Sequence, residues 1–459
     1  MAGLAAAVAC AWWAVAPPLA GQEPPVVQPR PIVIIGGTLI DGSGGPARRN
    51  DAIVIRDGRI KAMGLSAGRK APTDARLIDA TGKWILPGFI DAAVHLSRSG
   101  DPDARSDQES SASIRSGPVR APADIRRAPA PYLRAYLCAG VTTVLNIGGP
   151  EWTFELRNGR VDDAQSPRIG TTGPALALLA APGVAEADDR SYWAVASSDH
   201  VAALVERLAR SKPDLVAIRL AAAPGQPEAT SLASAMVTAA HARKLRTVFD
   251  ASTPGELRAA VSAGADVIVS RVWDQIDEDT VRRIVGQQII IVPTMVVDEL
   301  RQKVHAGDRS AAEFESACAP AASLDSLAAW KALAAKWKPR EPDPLTAGYI
   351  EGERRNVRRL AKAGAMIVAG SGAGDDRVFH GPSLHWEFES LAGAGLTPMQ
   401  IILSATRDAA RLLGRQAEAG QVKEGMTADL VLVEADPLAD IRNARRVVQT
   451  IRGGALYER

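Results

Sequence analysis

Residues 247–270 read TVFDASTPGELRAAVSAGADVIVS, and the order of patterns inside this stretch decides the fold. Thr247 to Ala251 is a short β-rich run, Pro254 to Ala263 carries its apolar residues at helical spacing, and Val267 to Ser270 is a second β-rich run. A strand, a helix and another strand in so few residues make a βαβ unit, which sets its two strands parallel. The rhythm continues on both sides. Val141 to Ile147, Leu215 to Leu220, Ile289 to Val292 and Met366 to Ala369 read as strands, with Leu232 to Lys244 and Asn356 to Ala363 among the amphipathic helices between them. That count of βα units suits a closed parallel barrel, an α/β fold of the TIM type, spanning 86–415.

The flanks have a different texture. From Ile32 to Ile85 short β-rich runs dominate, and an Asp57-Gly58 turn between Ala52 to Ile55 and Arg59 to Met63 marks a hairpin. Asp429 to Glu434 and Arg446 to Arg452 are strand-like too, so 32–85 and 418–459 are expected to form two parts of one small β-sandwich. Ser97 to Pro131 and Val304 to Pro344 interrupt the barrel rhythm after strands. They are candidate lids, or else solvated decoration.

In the whole chain of 459 residues, 54 Lys and Arg nearly balance 52 Asp and Glu, and no basic run stands out, which excludes the electrostatic footprint of nucleic-acid binding. An apolar start through Trp12 and Trp13 to Ala20 reads as a signal peptide over 1–22, too short to span a membrane, so the mature chain is expected to be periplasmic or secreted without a membrane span. Cys10 falls in that segment. Cys138 and Cys318 have no ligand-like spacing to each other or to histidine, imply no disulfide framework, and read as two buried, inert thiols.

At LPGFIDAAVH, residues 86–95, the chain resembles the amidohydrolase superfamily in its imidazolonepropionase-like branch. Ala139-Gly140-Val141-Thr142-Thr143-Val144, Ala240-His241-Ala242-Arg243, Ala263-Gly264-Ala265-Asp266, Val292-Pro293-Thr294 and Ala405-Thr406 are similar to that family in its own order, and Ala428-Asp429-Leu430-Val431 continues the likeness. The resemblance implies a (β/α)8 barrel with a split β-sandwich. It also implies one or two divalent metals, zinc or another, that lower the pKa of a bound water for hydrolysis of C–N bonds in amides, lactams or dipeptides.

The ligands that such chemistry needs are substituted at five of six positions. The resemblance places a His-x-His at the end of the first strand, where Ala93-Val94-His95 keeps only the second histidine. Its bridging lysine falls on Arg219, which stays protonated and cannot become a carbamate. Its next two histidines fall on Asp250 and Ser270, and its aspartate, both ligand and general base, on Gly372. With His95 as the one surviving ligand, no metal cofactor is expected and the family mechanism is not expected to operate.

Barrel-mouth candidates are therefore His95, Arg219, Asp250, Ser270, Asp375 and His380, with Arg219 and Asp250 expected to pair as opposite charges. Ser270, His95 and Asp250 have the composition of a nucleophilic triad, although only geometry defines one. His385 and Glu387 read as structural or rim residues and His241 as exposed. The leading reading is a pseudo-hydrolase that binds a small molecule, or partners a copy of itself or an active relative. The alternatives are a working hydrolase with a relocated or metal-free site, and an interaction protein whose pocket is filled.

Overall fold

The structure, a computed structural model, describes residues 30–458 except 51, 65–71, 102–124, 161–162, 179–190, 221–226, 306–307, 309 and 335–343. The expected signal segment and most of the first candidate lid lie outside the described residues.

Parallel strands and helices alternate as their periodicity demands. In one sheet Phe89–Val94 pairs with Val141–Asn146, which pairs with Arg168–Thr171. In a second, the order is Tyr192–Ala194, Ala175–Leu178, Val216–Leu220, Thr247–Ala251, Val267–Ser270 and Ile290–Val292, every pair parallel. Backbone bonds from Ile291 N to Met366 O (2.9 Å) and from Ala92 N to Ala369 O (3.1 Å) carry the circuit through residues 366–369 back to the first strand. The closed unit is a (β/α)8 barrel. The strands at 168–171 and 175–178 follow a Ser-Pro turn with no amphipathic signal of their own, and sequence reading passed over them.

Alternation along each strand separates two cores. Residues such as Ala217, Val248, Val267 and Val292 point to the axis and pack on one another, while Ile218, Phe249, Ile268 and Ile291 point outward under the helices. The helix Pro254–Ala263 shows why it starts where it does: Thr253 and Glu256 form a reciprocal capping box, with Pro254 in the first turn.

The flanking segments form two further sheets. One holds Arg59–Met63, Ala52–Arg56, Ile32–Ile35 and Arg76–Asp79; the other runs through Ala455–Leu456, Val447–Arg452, Leu430–Val433, Trp84–Pro87, Thr38–Leu39 and Arg48–Arg49. Because Leu430–Val433 pairs antiparallel with Trp84–Pro87, the two ends of the chain share a sheet.

One expectation is overturned here. Cys138, closing the helix Ala130–Cys138, and Cys318, closing Glu313–Cys318, are joined by a disulfide with their Cα atoms 5.5 Å apart. They are 180 residues apart in sequence, so only the tertiary path brings them together. Further contacts hold the described part of the 304–344 insertion down. Arg377 donates from two nitrogens to the two oxygens of Glu315 at 2.8 and 2.9 Å, with both side chains buried, and the Ser323 hydroxyl donates to Ser99 O at 3.4 Å.

Candidate functional site

The axial face opens at the C-terminal ends of the strands into a cavity of about 240 Å³. This is where barrels of this class carry their chemistry. Ala93 and His95 come from the first strand end, Arg219 and Asp250 from two adjacent strands, and Gly372 and Asp375 from the loop after the last.

His95 is fixed from two sides. Its backbone N–H donates to Ala373 O at 2.7 Å, and its ring Nδ1 lies 2.9 Å from Ile147 O. A carbonyl can only accept, so Nδ1 carries the proton and Nε2 offers a lone pair. Burial, reinforced by the Arg98 charge, pushes its pKa down, which keeps the ring neutral. Asp375 accepts from Arg98 at 2.7 Å. Burial alone would raise its pKa, but the neighbouring His95 ring and the charges of Arg98 and Arg271 outweigh that and hold the carboxyl well below its ordinary range.

Arg219 and Asp250 are register partners on adjacent strands, and both line the cavity. The expected ion pair between them does not form: among the described residues no hydrogen bond or ion pair joins Arg219 to the Asp250 carboxylate. Asp250 instead faces Arg271 and His95, on each of which its charge acts.

Two other candidates move away from the cavity. Ser270 is in register with Ala251 and shares the outward face with Ile268, so the two-residue period turns it from the axis and it is not among the lining residues. The triad composition of Ser270, His95 and Asp250 is thus not a triad in space. His380 is buried behind the rim, with Tyr136 Oη 2.7 Å from its Nδ1 and Arg98 O 2.7 Å from its Nε2. Both nitrogens are used, and burial pushes its pKa down to about 4. It braces the loop bearing Arg98.

Sequence reasoning missed Arg271. It lies one residue beyond Ser270, on the inward face with Val267 and Val269, and its guanidinium lines the cavity. Burial opposes its charge, but Asp250, Asp298 and Asp375 outweigh that and hold its pKa up. The period-two rule applied across the strand end could have found it. Arg301, also in the lining, is held by Asp298 at 2.7 Å.

Gly372 cannot simply be replaced. It sits at φ +65°, and a Cβ there would come within 2.5 Å of Val297 Cγ2. The carboxylate that this loop sends to the cavity comes instead from Asp375, whose N–H donates to Gly372 O at 3.0 Å. Nearby, Asp91 ties the first strand to the same loop by accepting from the Ser371 hydroxyl at 2.6 Å and from its N–H at 2.9 Å. Burial lifts its pKa to about 7.

His385, Glu387 and His241 lie away from the cavity. His385 Nε2 meets Ala139 O at 2.9 Å, and Glu387 accepts from Val296 N at 2.9 Å, both deep in the core. His241 is exposed against Asp266 at 2.8 Å.

The chain is similar over short stretches to several hydrolases. It is 51% identical over 63 residues to the N-acyl-D-aspartate deacylase of Alcaligenes xylosoxydans xylosoxydans, covering 14% of this chain and 12% of that one. It is 40% identical over 91 residues to the imidazolonepropionase of Symbiobacterium thermophilum, covering 16% and 21%. These matches span about a fifth or less of the relatives' lengths. In structure it resembles a Xaa-Pro dipeptidase with methionine bound in the active site (TM-score 0.70, 21% identity, 94% of this chain and 100% of that one) and molinate hydrolase (TM-score 0.69, 19% identity, 94% and 95%). A family model described as the amidohydrolase family matches residues 84–456, the whole barrel and the returning strands, and the chain belongs to that family.

Proposed function

We propose that this amidohydrolase-family protein does not run metal-dependent hydrolysis and instead binds a small molecule in the barrel mouth, alone or beside an active relative. The observation that carries this is the charge of the cavity wall. Arg98, Arg219, Arg271 and Arg301 line it against Asp250 and Asp375. A divalent cation placed there would meet guanidinium groups that cannot deprotonate. The donor set does not fit a metal either: Asp375 is committed to Arg98, and among the described residues no group of three or more His, Cys, Asp or Glu side chains is disposed to hold one. An open cavity argues against a purely structural role.

Metal analysis of the purified protein is the direct test. We expect far less than one equivalent of zinc, manganese or iron; near-stoichiometric metal overturns the proposal. A second reading, a metal-free hydrolase, draws on the neutral His95 ring, whose Nε2 is a competent base toward water. A screen of N-acyl amino acids, dipeptides and lactams with and without added metal decides it, because turnover that His95→Ala abolishes would replace binding by catalysis.

We also propose export to an oxidising compartment, supported by the Cys138–Cys318 disulfide, since such links persist outside the reducing cytosol. Thiol trapping in cell fractions checks this: both cysteines should resist alkylation until a reductant is added.

A further inference from the structure

Three polar groups in the cavity wall have no partner among the described residues. The guanidinium of Arg271, the carboxylate of Asp250 and Nε2 of His95 make no hydrogen bond or ion pair among the described residues, and all three residues line the same cavity. None of the three is sealed in the core, so each is open to a molecule in the cavity. One of these is a cation with several donors, and the other two are acceptors.

Their placement follows from the strands. Asp250 is in register with Val269, and Arg271 is the next residue along the same inward face. The cation therefore stands one step further out than the carboxylate on the neighbouring strand, while His95 joins Asp250 at the acceptor side, where the charge of Asp250 acts on it. Asp250, and more weakly Asp298, Asp375 and Glu353, attract Arg271 electrostatically without closing into an ion pair with it. Arg271 and Asp250 both line the cavity, where a ligand could reach them.

We infer that the cavity binds a small amino-carboxylate in zwitterionic form, its carboxylate on Arg271 and its ammonium on Asp250 and His95 Nε2. A carboxylate matches the planar fork of a guanidinium and forms strong, charge-assisted bonds with it. An ammonium supplies three donors, and Asp250 and His95 Nε2 are the acceptors that this side of the cavity offers it, while the ligand's own carboxylate offsets the Arg271 charge. The volume of about 240 Å³ lies below the usual range for drug-sized ligands, which favours a free amino acid or a very short peptide. The inference rests on the metal-free binding role proposed above and adds the ligand class and the residues that read it.

The test is a thermal-shift panel on the full chain. Free L- and D-amino acids, their decarboxylated amines and their N-acetyl derivatives are each added at about 10 mM, where even weak binding to the folded state raises Tm. Calorimetry follows on the free amino acid with the largest shift. At least one free amino acid should raise Tm while its amine and N-acetyl partners do much less, and Arg271→Gln and Asp250→Asn should each weaken binding at least about tenfold. Ser270→Ala should leave binding unchanged. The inference is overturned by a flat panel, by equal binding of the N-acetyl or decarboxylated forms, or by folded Arg271→Gln that binds like the parent. If Arg271→Gln loses its far-UV circular dichroism, the panel on the parent and Asp250→Asn carry the decision. Failure here in a metal-free protein sinks the ligand class alone, whereas stoichiometric metal sinks the binding role itself.

Discussion

Behind the rim of the barrel, Glu315 takes two bonds from Arg377 and one from Ala312 N, Asp91 takes two from Ser371, and His380 uses both ring nitrogens. At the axis, His95 Nε2, Asp250 and Arg271 face a cavity without such partners. The rim spends its polar groups on holding loops in place; the axis keeps its polar groups for something else. Substitutions should therefore separate by location, with rim changes read in stability and axial changes read in binding.

The largest effect expected on the rim comes from Glu315→Ala. It leaves the Arg377 guanidinium buried without its carboxylate, which should cost about 3–5 kcal/mol in a urea melt and leave the ligand preference of the folded fraction alone. Next is the disulfide. Replacing both cysteines by serine should cost about 2–4 kcal/mol, and a loss under about 0.5 kcal/mol would mean that the link adds nothing to a well-packed insertion.

Glu353 sharpens the comparison by pH. Burial, with the Asp298 charge beside it, pushes its pKa up to about 10, so the folded protein holds a proton that the unfolded chain releases above the ordinary carboxyl range. Stability from this group is highest at low pH and falls as pH rises toward the folded value, by up to about 1.4 kcal/mol per pH unit. Glu353→Gln should remove that slope between about pH 5 and 9, as seen in urea midpoints across the range. The smallest effect is expected from Ser270→Ala, within about 0.5 kcal/mol, since the hydroxyl faces neither the cavity nor a buried partner.

The barrel was legible because strands of period two and helices of period 3.6 leave their marks in Thr247–Ser270 and its neighbours without any partner in view. The cavity was legible in part. His95, Asp250 and Asp375 fall where the motif order puts them, but Arg271 was hidden because the motif order ends on Ser270, and the choice between the two is a question of which face a strand end presents. His380 failed for another reason: a histidine after a glycine-rich turn looks like a mouth residue until the loop is seen folding back onto Tyr136. The Cys138–Cys318 link left no trace at all, since pairing over such a separation is a property of the closed barrel and not of either local sequence.

That link also has a consequence in time. Cys138 is synthesised 180 residues before Cys318, which at about 5–20 residues per second is an interval of roughly 10–40 s. For that period the first thiol is exposed in a chain whose later strands do not yet exist, and its correct partner has not been made. A cell that exports this protein through an oxidising compartment must either keep Cys138 reduced until the last strands arrive or reverse the mispairings it makes meanwhile. Yield of the native protein should then depend on disulfide isomerase capacity.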